Sequence, residues 1–182
     1  MHKIDTFKLK DGREVSIVTP DMDGLKAITD FVNKLSKEDT FLSFAGEEYS
    51  LEKEEAWLSN ALNEIKFKKN YIIWAVIDSQ IIGNVDIKVG RAREEHVGTI
   101  GLMVDSDFRG NGLGEYLIRK ILDEGKKMGL KIATLNVFSD NIPARKLYEK
   151  VGFIEYGKLS DGFFRKEKFS DKIEMYQELA NS

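Results

Sequence analysis

A run of glycines at the junction between an apolar strand and an amphipathic helix constrains this chain more than any other feature. Residues 109 to 114 read Arg-Gly-Asn-Gly-Leu-Gly. Ahead of them lies the apolar stretch Thr99-Ile100-Gly101-Leu102-Met103-Val104, and behind them Leu113, Tyr116, Leu117, Ile121 and Leu122 recur at helical spacing. A strand that turns through glycines into a helix start leaves a row of backbone N–H groups without helical acceptors. The helix dipole adds partial positive charge at the same point. Such a junction suits a phosphate or pyrophosphate group.

The surrounding pattern places the junction in the middle of an α/β domain. A hairpin-like stretch near Phe7 to Arg13 precedes a strand at Val15 to Thr19, closed by Pro20-Asp21. Leu25, Ile28, Phe31, Val32 and Leu35 predict a helix from Met22 to about Ser36, with Asp21 as its cap. A second helix follows Ser50, with Trp57, Leu58, Leu62 and Ile65 on one face. Three strands are predicted at Tyr71 to Ile77, Ile81 to Val89 and His96 to Val104. The helix after the glycines runs to Met128 and stops at Gly129. A strand at Lys131 to Phe138, a short helix capped by Asn141 with Pro143 in its first turn, and two further strands around Ser160-Asp161-Gly162 complete the order.

The expectation is one domain over residues 1–182, of α/β (α+β) class. Its mixed, mostly antiparallel sheet would have about six to seven strands, flanked by about four helices.

Composition removes several function classes. With no cysteine, thiolate nucleophiles and cysteine metal sites are excluded, and His2 and His96 alone leave little for a histidine site, so no metal is expected. A net charge of −3 lacks the basic footprint of a nucleic-acid binder. No stretch is long and apolar enough for a membrane helix and the first residues lack a signal-peptide core, which predicts a cytoplasmic protein without a membrane partner.

A glycine loop alone is ambiguous. A P-loop would continue Gly-Lys-Ser/Thr, whereas Gly114 is followed by Glu115-Tyr116. A dinucleotide fold would place its glycines after the first strand of a βαβ unit, not after three hairpin-connected strands. The loop instead resembles Arg/Gln-x-x-Gly-x-Gly/Ala, the acyl-CoA signature of the GNAT superfamily of N-acetyltransferases. The stretch Asn141-Ile142-Pro143-Ala144-Arg145-Lys146-Leu147-Tyr148-Glu149-Lys150-Val151-Gly152-Phe153 resembles that family's second block, about 30 residues on. The likeness spans about residues 14 to 177. His96 leading its strand, Phe31-Val32-Asn33 and Glu54-Glu55-Ala56-Trp57-Leu58 are similar to the branch holding ribosomal-protein and phosphinothricin-type acetyltransferases.

The resemblance implies a fold, a cofactor and roles. The backbone of Arg109, Gly110, Asn111, Gly112, Leu113 and Gly114 would grip the pyrophosphate of acetyl-CoA. Met103 and Val104 would pair their backbone with the pantetheine arm, and the Asn141 side chain would hydrogen-bond that arm near the thioester. A backbone N–H near Val104 would polarise the thioester carbonyl. Tyr148 would give a proton to the departing thiolate, a phenol of pKa about 10 facing a thiol of about 8.5.

The acceptor would be a primary amine on a small molecule, a polyamine or a protein N-terminus, attacked directly without a covalent intermediate. The competing reading is a non-catalytic acyl-CoA-binding or regulatory module of the same fold. A homodimer is compatible with either.

The general base is not legible in the sequence. A lysine-like amine of pKa about 10.4 is neutral about once in 2,500 molecules at pH 7, a deficit of about 4.6 kcal/mol. Relatives carry glutamate at the positions that Asn136 and Thr99 occupy here, and neither of those can serve. His96 acting through a water, and Glu47 and Glu48 ahead of the second helix, are the remaining candidates. Each also reads as an ordinary structural or solvated residue, which leaves a water chain to solvent as the expected route. Trp57, Trp74, Phe41 and Phe44 read as core residues before acceptor-site walls.

Overall fold

One parallel pairing in an otherwise antiparallel sheet organises the molecule. The computed structural model describes residues 1–38, 41 and 46–179. Among them the strands are β1 (His2–Lys8), β2 (Glu14–Thr19), β3 (Asn70–Ile77), β4 (Gln80–Val89), β5 (Val97–Val104), β6 (Ile132–Phe138), β7 (Ile154–Arg165) and β8 (Lys168–Glu178). The helices are α1 (Leu25–Lys37), α2 (Leu51–Lys66), α3 (Leu113–Lys127) and α4 (Ile142–Lys150). All eight strands join one sheet in the order β1-β2-β3-β4-β5-β6-β8-β7.

The strand count exceeds the sequence expectation by β1. That strand is an exposed edge with charges at Lys3, Asp5 and Lys8, and it buries no residue fully, so it lacks the apolar alternation that marks a strand. The predicted hairpin near Phe7 to Arg13 is the turn that joins β1 to β2. The first predicted helix divides in two. Asp21 caps a 3-10 turn over Met22–Gly24, its carboxylate accepting from Asp23 N–H, and α1 begins only at Leu25.

Two apolar layers sandwich the sheet. On one face Leu113, Leu117, Ile118 and Ile121 of α3 pack with Ile82, Val85 and Ile87 of β4 and with Leu135 and Val137 of β6. On the other, Ile28, Phe31 and Leu35 of α1 and Leu58 of α2 pack with Ile72, Trp74 and Val76 of β3. Each fully buried aliphatic side chain contributes about 1.5–3 kcal/mol. Trp74 is wholly buried in this second layer and donates its indole N–H to Asn84 Oδ1 at 3.0 Å. Trp57, by contrast, is exposed. Phe41 stacks edge-on against Phe138 at 5.5 Å, while Phe44 lies outside the described residues.

The parallel joint is short. β5 pairs with β6 only at Val97–Ile132, Gly98–Ala133 and Thr99–Thr134. The hydroxyls of Thr99 and Thr134 meet at 3.2 Å where the pairing stops. Beyond them β5 continues to Val104 bound on its β4 side, and β6 continues to Phe138 bound to β8. The sheet therefore parts into a cleft at the end where the glycine loop and α4 begin.

Candidate functional site

The loop after β5 is held from behind. Asp105 is buried and caps the 3-10 turn Ser106–Phe108, its Oδ1 accepting from Asp107 N–H at 3.0 Å. Lys34 of α1 reaches both Asp105 oxygens, at 2.9 and 2.7 Å, and Asp107 at 2.7 Å. Those hydrogen bonds, to Asp105 first, hold the Lys34 ammonium well above its ordinary pKa. Glu38 accepts from the Ser106 hydroxyl at 2.9 Å and the Arg109 guanidinium at 3.0 Å. Arg109 also donates Nε–H to the Val104 carbonyl at 2.9 Å.

Arg109 thus has a different place from the one its motif suggests. Its guanidinium locks the end of β5 to α1, and its N–H goes to the Ser106 carbonyl at 3.3 Å. The available donors begin one residue later. Among the described residues, the N–H groups of Gly110, Asn111, Gly112, Leu113, Gly114 and Glu115 meet no acceptor in the chain, and Tyr116 makes the first α-helical bond, to Gly112 O. Gly110 at φ 75° and Gly112 at φ 85° adopt the left-handed backbone that favours glycine. The Asn111 amide folds back onto the Phe108 and Arg109 carbonyls at 3.3 and 3.4 Å, which leaves the main chain of the loop open. Lys10, from the β1–β2 turn, donates to Gly110 O at 2.7 Å and brings a cation to the same rim.

The free edge of β5 has a definite polarity. Asp105 N–H binds Ile82 O at 3.0 Å and Gly90 N–H binds Val97 O at 2.9 Å, in a register without interruption. In an antiparallel pair the hydrogen-bonded residues alternate, so Val97, Thr99, Gly101, Met103 and Asp105 turn their main chain toward β4. Ile100, Leu102 and Val104 turn theirs the other way, Ile100 at the end of the seam with β6 and Leu102 and Val104 into the cleft. The Met103 backbone, expected to meet the pantetheine arm, is engaged with β4, whereas the N–H groups of Leu102 and Val104 face the cleft and the Val104 carbonyl is held by Arg109. The period of two was legible in the sequence, but its phase is set by the pairing with β4.

Across the cleft stands α4. Asn141 caps it, Oδ1 accepting from Ala144 N–H at 3.3 Å, and the Asn141 amide nitrogen meets no acceptor among the described residues. Leu147 of α4 comes within 3.4 Å, and Leu102 within 3.7 Å, of where a side chain on Gly114 would begin, so α3, α4 and β5 converge on the glycine. Tyr148 is buried beside Phe153, ring centroids 6.0 Å apart, and burial pushes its phenol up to about 12.

The positions weighed for a general base lie apart from one another. Thr99 is tied to Thr134, and Asn136 is exposed on β6. His96 lies at the far end of β5, where its carbonyl accepts from Lys131 and Ile132 N–H. Glu47 and Glu48 are exposed, and the Glu47 carbonyl accepts from the Ser36 hydroxyl at 2.6 Å.

A carboxylate that sequence reasoning passed over is Asp86 of β4. Burial pushes it up to about 6, against the opposing hydrogen bond from the Asn84 amide at 3.4 Å. A polar residue at a mostly buried position of the strand Gly83-Asn84-Val85-Asp86-Ile87-Lys88 was the available signal. Among the described residues, no three acidic or histidine side chains gather as a metal site.

The acetyltransferase (GNAT) family model matches residues 31–153. The chain belongs to the GNAT family. It is 36% identical over 81 residues to the L-amino acid N-acetyltransferase of Escherichia coli, covering 43% of this chain and 50% of that protein. Against human N-acetylaspartate synthetase it is 35% identical over 85 residues, 46% of this chain and 27% of that protein. The chain thus spans half or less of the length of these curated relatives.

Over the whole fold, a GNAT acetyltransferase from Streptococcus pneumoniae superposes with a TM-score of 0.83 at 25% identity, covering 91% of this chain and 99% of that one. A structure from Salmonella typhimurium solved with acetyl-CoA has a TM-score of 0.77 at 16% identity, covering 92% and 95%. Among the described residues of this GNAT member, no helix is long and apolar enough to cross a membrane.

Proposed function

We propose that this GNAT domain transfers an acetyl group from acetyl-CoA to a primary amine by direct attack. One observation carries the reading. The row of acceptor-less N–H groups from Gly110 to Glu115 opens onto the free edge of β5, and that edge runs between the loop and α4, which bears Asn141 and Tyr148. A pyrophosphate fits the N–H row at the helix start. The amide-bearing pantetheine arm fits the Leu102 and Val104 edge as an added strand. The Asn141 amide nitrogen, left over from its capping role, would donate to that arm.

The thioester carbonyl accepts from a cleft-facing N–H of β5, which stabilises the oxyanion formed on attack. Tyr148 then protonates the leaving sulfur. A phenol at about 12 facing a thiol of about 8.5 would push this transfer uphill by about 5 kcal/mol if only one partner were desolvated. The thiolate leaves into the same apolar surroundings, so burial raises both anions and largely cancels in the difference.

Two relatives carry names that describe acetylation of amino acids. This favours a small α-amine as the acceptor to test first, ahead of polyamines and protein N-termini. The test is calorimetric titration with acetyl-CoA, followed by CoA release across amines of increasing pKa. Binding together with amine-dependent release is expected. Binding without release on any amine leaves the non-catalytic acyl-CoA module instead.

A further inference from the structure

We propose that Asp86 is the proton-accepting carboxylate of the transfer, receiving the acceptor ammonium on the α1/α2 face of β5. The proposal rests on the acetyltransferase reading and adds the residue and the side of approach. Three features of the fold carry it.

The first is the division of β5 into faces. Leu102 and Val104 pack toward α3, whereas Met103 packs into the cluster formed by α1 and α2. The loop donors and α4 belong to the α3 side, so the cofactor lies along one face and its acyl end meets the other. Asn84, Asp86 and Lys88 are the cross-strand partners of Met103, Gly101 and Thr99, which places all six on the α1/α2 face. Thr99 is therefore a near neighbour of Asp86 on one surface.

The second is the glycine opposite Asp86. A Cβ at Gly101 would lie 2.9 Å from Asp86 Oδ1, so the carboxylate leans over the main chain of β5 and any larger residue would displace it. Leu102, which turns its N–H into the cleft, is the next residue, about 3.8 Å on between Cα atoms. An amine over that edge lies within direct or single-water reach of the carboxylate.

The third is the space around it. Asp86 lines a cavity of about 500 Å³ together with Lys88, Arg91, Glu94, Thr99 and Gly101. That volume suits a small amine. The electrostatic surroundings keep the carboxylate basic without neutralising it. Lys88, on its own strand, is drawn off by Glu64 of α2 at 3.0 Å, β5 opposes it with a glycine and β3 with Ile72. Desolvation leads the upward shift, Glu64 adds to it, and Asn84 and Lys88 oppose it.

The protons balance as follows. The ammonium gives one proton to Asp86, and the neutral nitrogen forms the C–N bond with the thioester carbon. As the tetrahedral adduct collapses the C–S bond breaks, Tyr148 protonates sulfur, and the second proton lost by the nitrogen restores the phenol. Asp86 returns its proton to solvent. A carboxylate is a far weaker base than an ε-amine of about 10.4, and better matched to α-amines of about 7.7–8.0, which gives the acceptor class.

The test compares the 182-residue chain with its Asp86→Asn variant, using acetyl-CoA and two acceptors. One is an equimolar mixture of the proteinogenic L-amino acids. The other is hydroxylamine, which is largely neutral at pH 7 and needs little base assistance. Asp86→Asn is expected to lose ~100- to 1,000-fold in turnover on amino acids and less than tenfold on hydroxylamine. Acetyl-CoA affinity should stay within about twofold.

An equal loss on both acceptors would make Asp86 a structural residue and overturn the proposal, as would no loss on either; the acetyltransferase reading survives both results. No turnover by the parent protein on either acceptor, with acetyl-CoA binding intact, would overturn the proposal, and release on no amine of the wider series would overturn the acetyltransferase reading as well.

Discussion

The two faces of the sheet build their halves of the site from different materials. On the α3/α4 face the donor half is mostly main chain: N–H groups of a glycine loop, the free edge of β5 and a helix start. On the α1/α2 face the chemistry lies in side chains, with Asp86 bent over Gly101 and Lys34 and Glu38 holding the loop from below. Main-chain devices dictate which residues can occupy each position, because only certain φ angles and side-chain sizes allow them. Side-chain devices need only that a group arrive in the right place, from whichever element the topology brings there. The donor half is therefore written as a motif and the acceptor half is not.

The largest effect expected from challenging this contrast is at Tyr148, proposed to act on the donor side through its side chain. Tyr148→Phe should lower kcat at least ~100-fold while acetyl-CoA affinity holds, read by CoA release and calorimetry. A fall in affinity with kcat preserved would make the ring a packing element only.

Lys34 joins the two faces and comes next. Lys34→Met leaves the buried Asp105 carboxylate without its cation, and should cost about 1–3 kcal/mol in urea unfolding at pH 7. The folded-state pKa of Lys34 is raised, so its contribution is complete below about pH 10 and fades as pH climbs through the raised value.

A donor-side main-chain change should weaken binding without touching chemistry. Gly112→Val forces a β-branched residue to φ 85°, a strain of about 1–2 kcal/mol, and acetyl-CoA affinity should fall about tenfold with kcat nearly unchanged.

The smallest effect has the most telling sign. Asp86 has a folded-state pKa of about 6, above its ordinary 3.8, so its ionisation opposes folding. The fold is relieved of this cost below about pH 4 and carries it fully once pH rises past about 6. Asp86→Asn should therefore be more stable than the parent protein at pH 7 by about 1–2 kcal/mol, with the gain vanishing near pH 4 in thermal unfolding. A residue whose removal stabilises the fold and slows the reaction is held for chemistry.

Much of the architecture could be read from the chain, for physical reasons that also explain the exceptions. The helices and inner strands announce themselves because Leu117, Ile121, Ile73 and Val85 must face the core at fixed periods. β1 escaped because an edge strand with charged residues buries too little to leave a pattern. The sequence offered the Arg109 backbone N–H with the rest of the loop, but not that this group turns back to the Ser106 carbonyl or that the side chain reaches Glu38, 71 residues away. Leu102 against Met103 turned on the phase of a ladder, which belongs to the pairing and not to either residue. Asp86 was visible only as a carboxylate inside a strand until Gly101 stood opposite it.

The three-pair seam between β5 and β6 has a mechanical meaning. Strands β1 to β5 form one plate and β6, β8 and β7 another, stitched at one end and gaping at the other. A pantetheine arm laid along Leu102 and Val104, as proposed, would fill the gaping end, so the seam would run its full length only while substrate is in place. Each catalytic cycle would close the gap and reopen it, making the donor a temporary part of the scaffold that activates it.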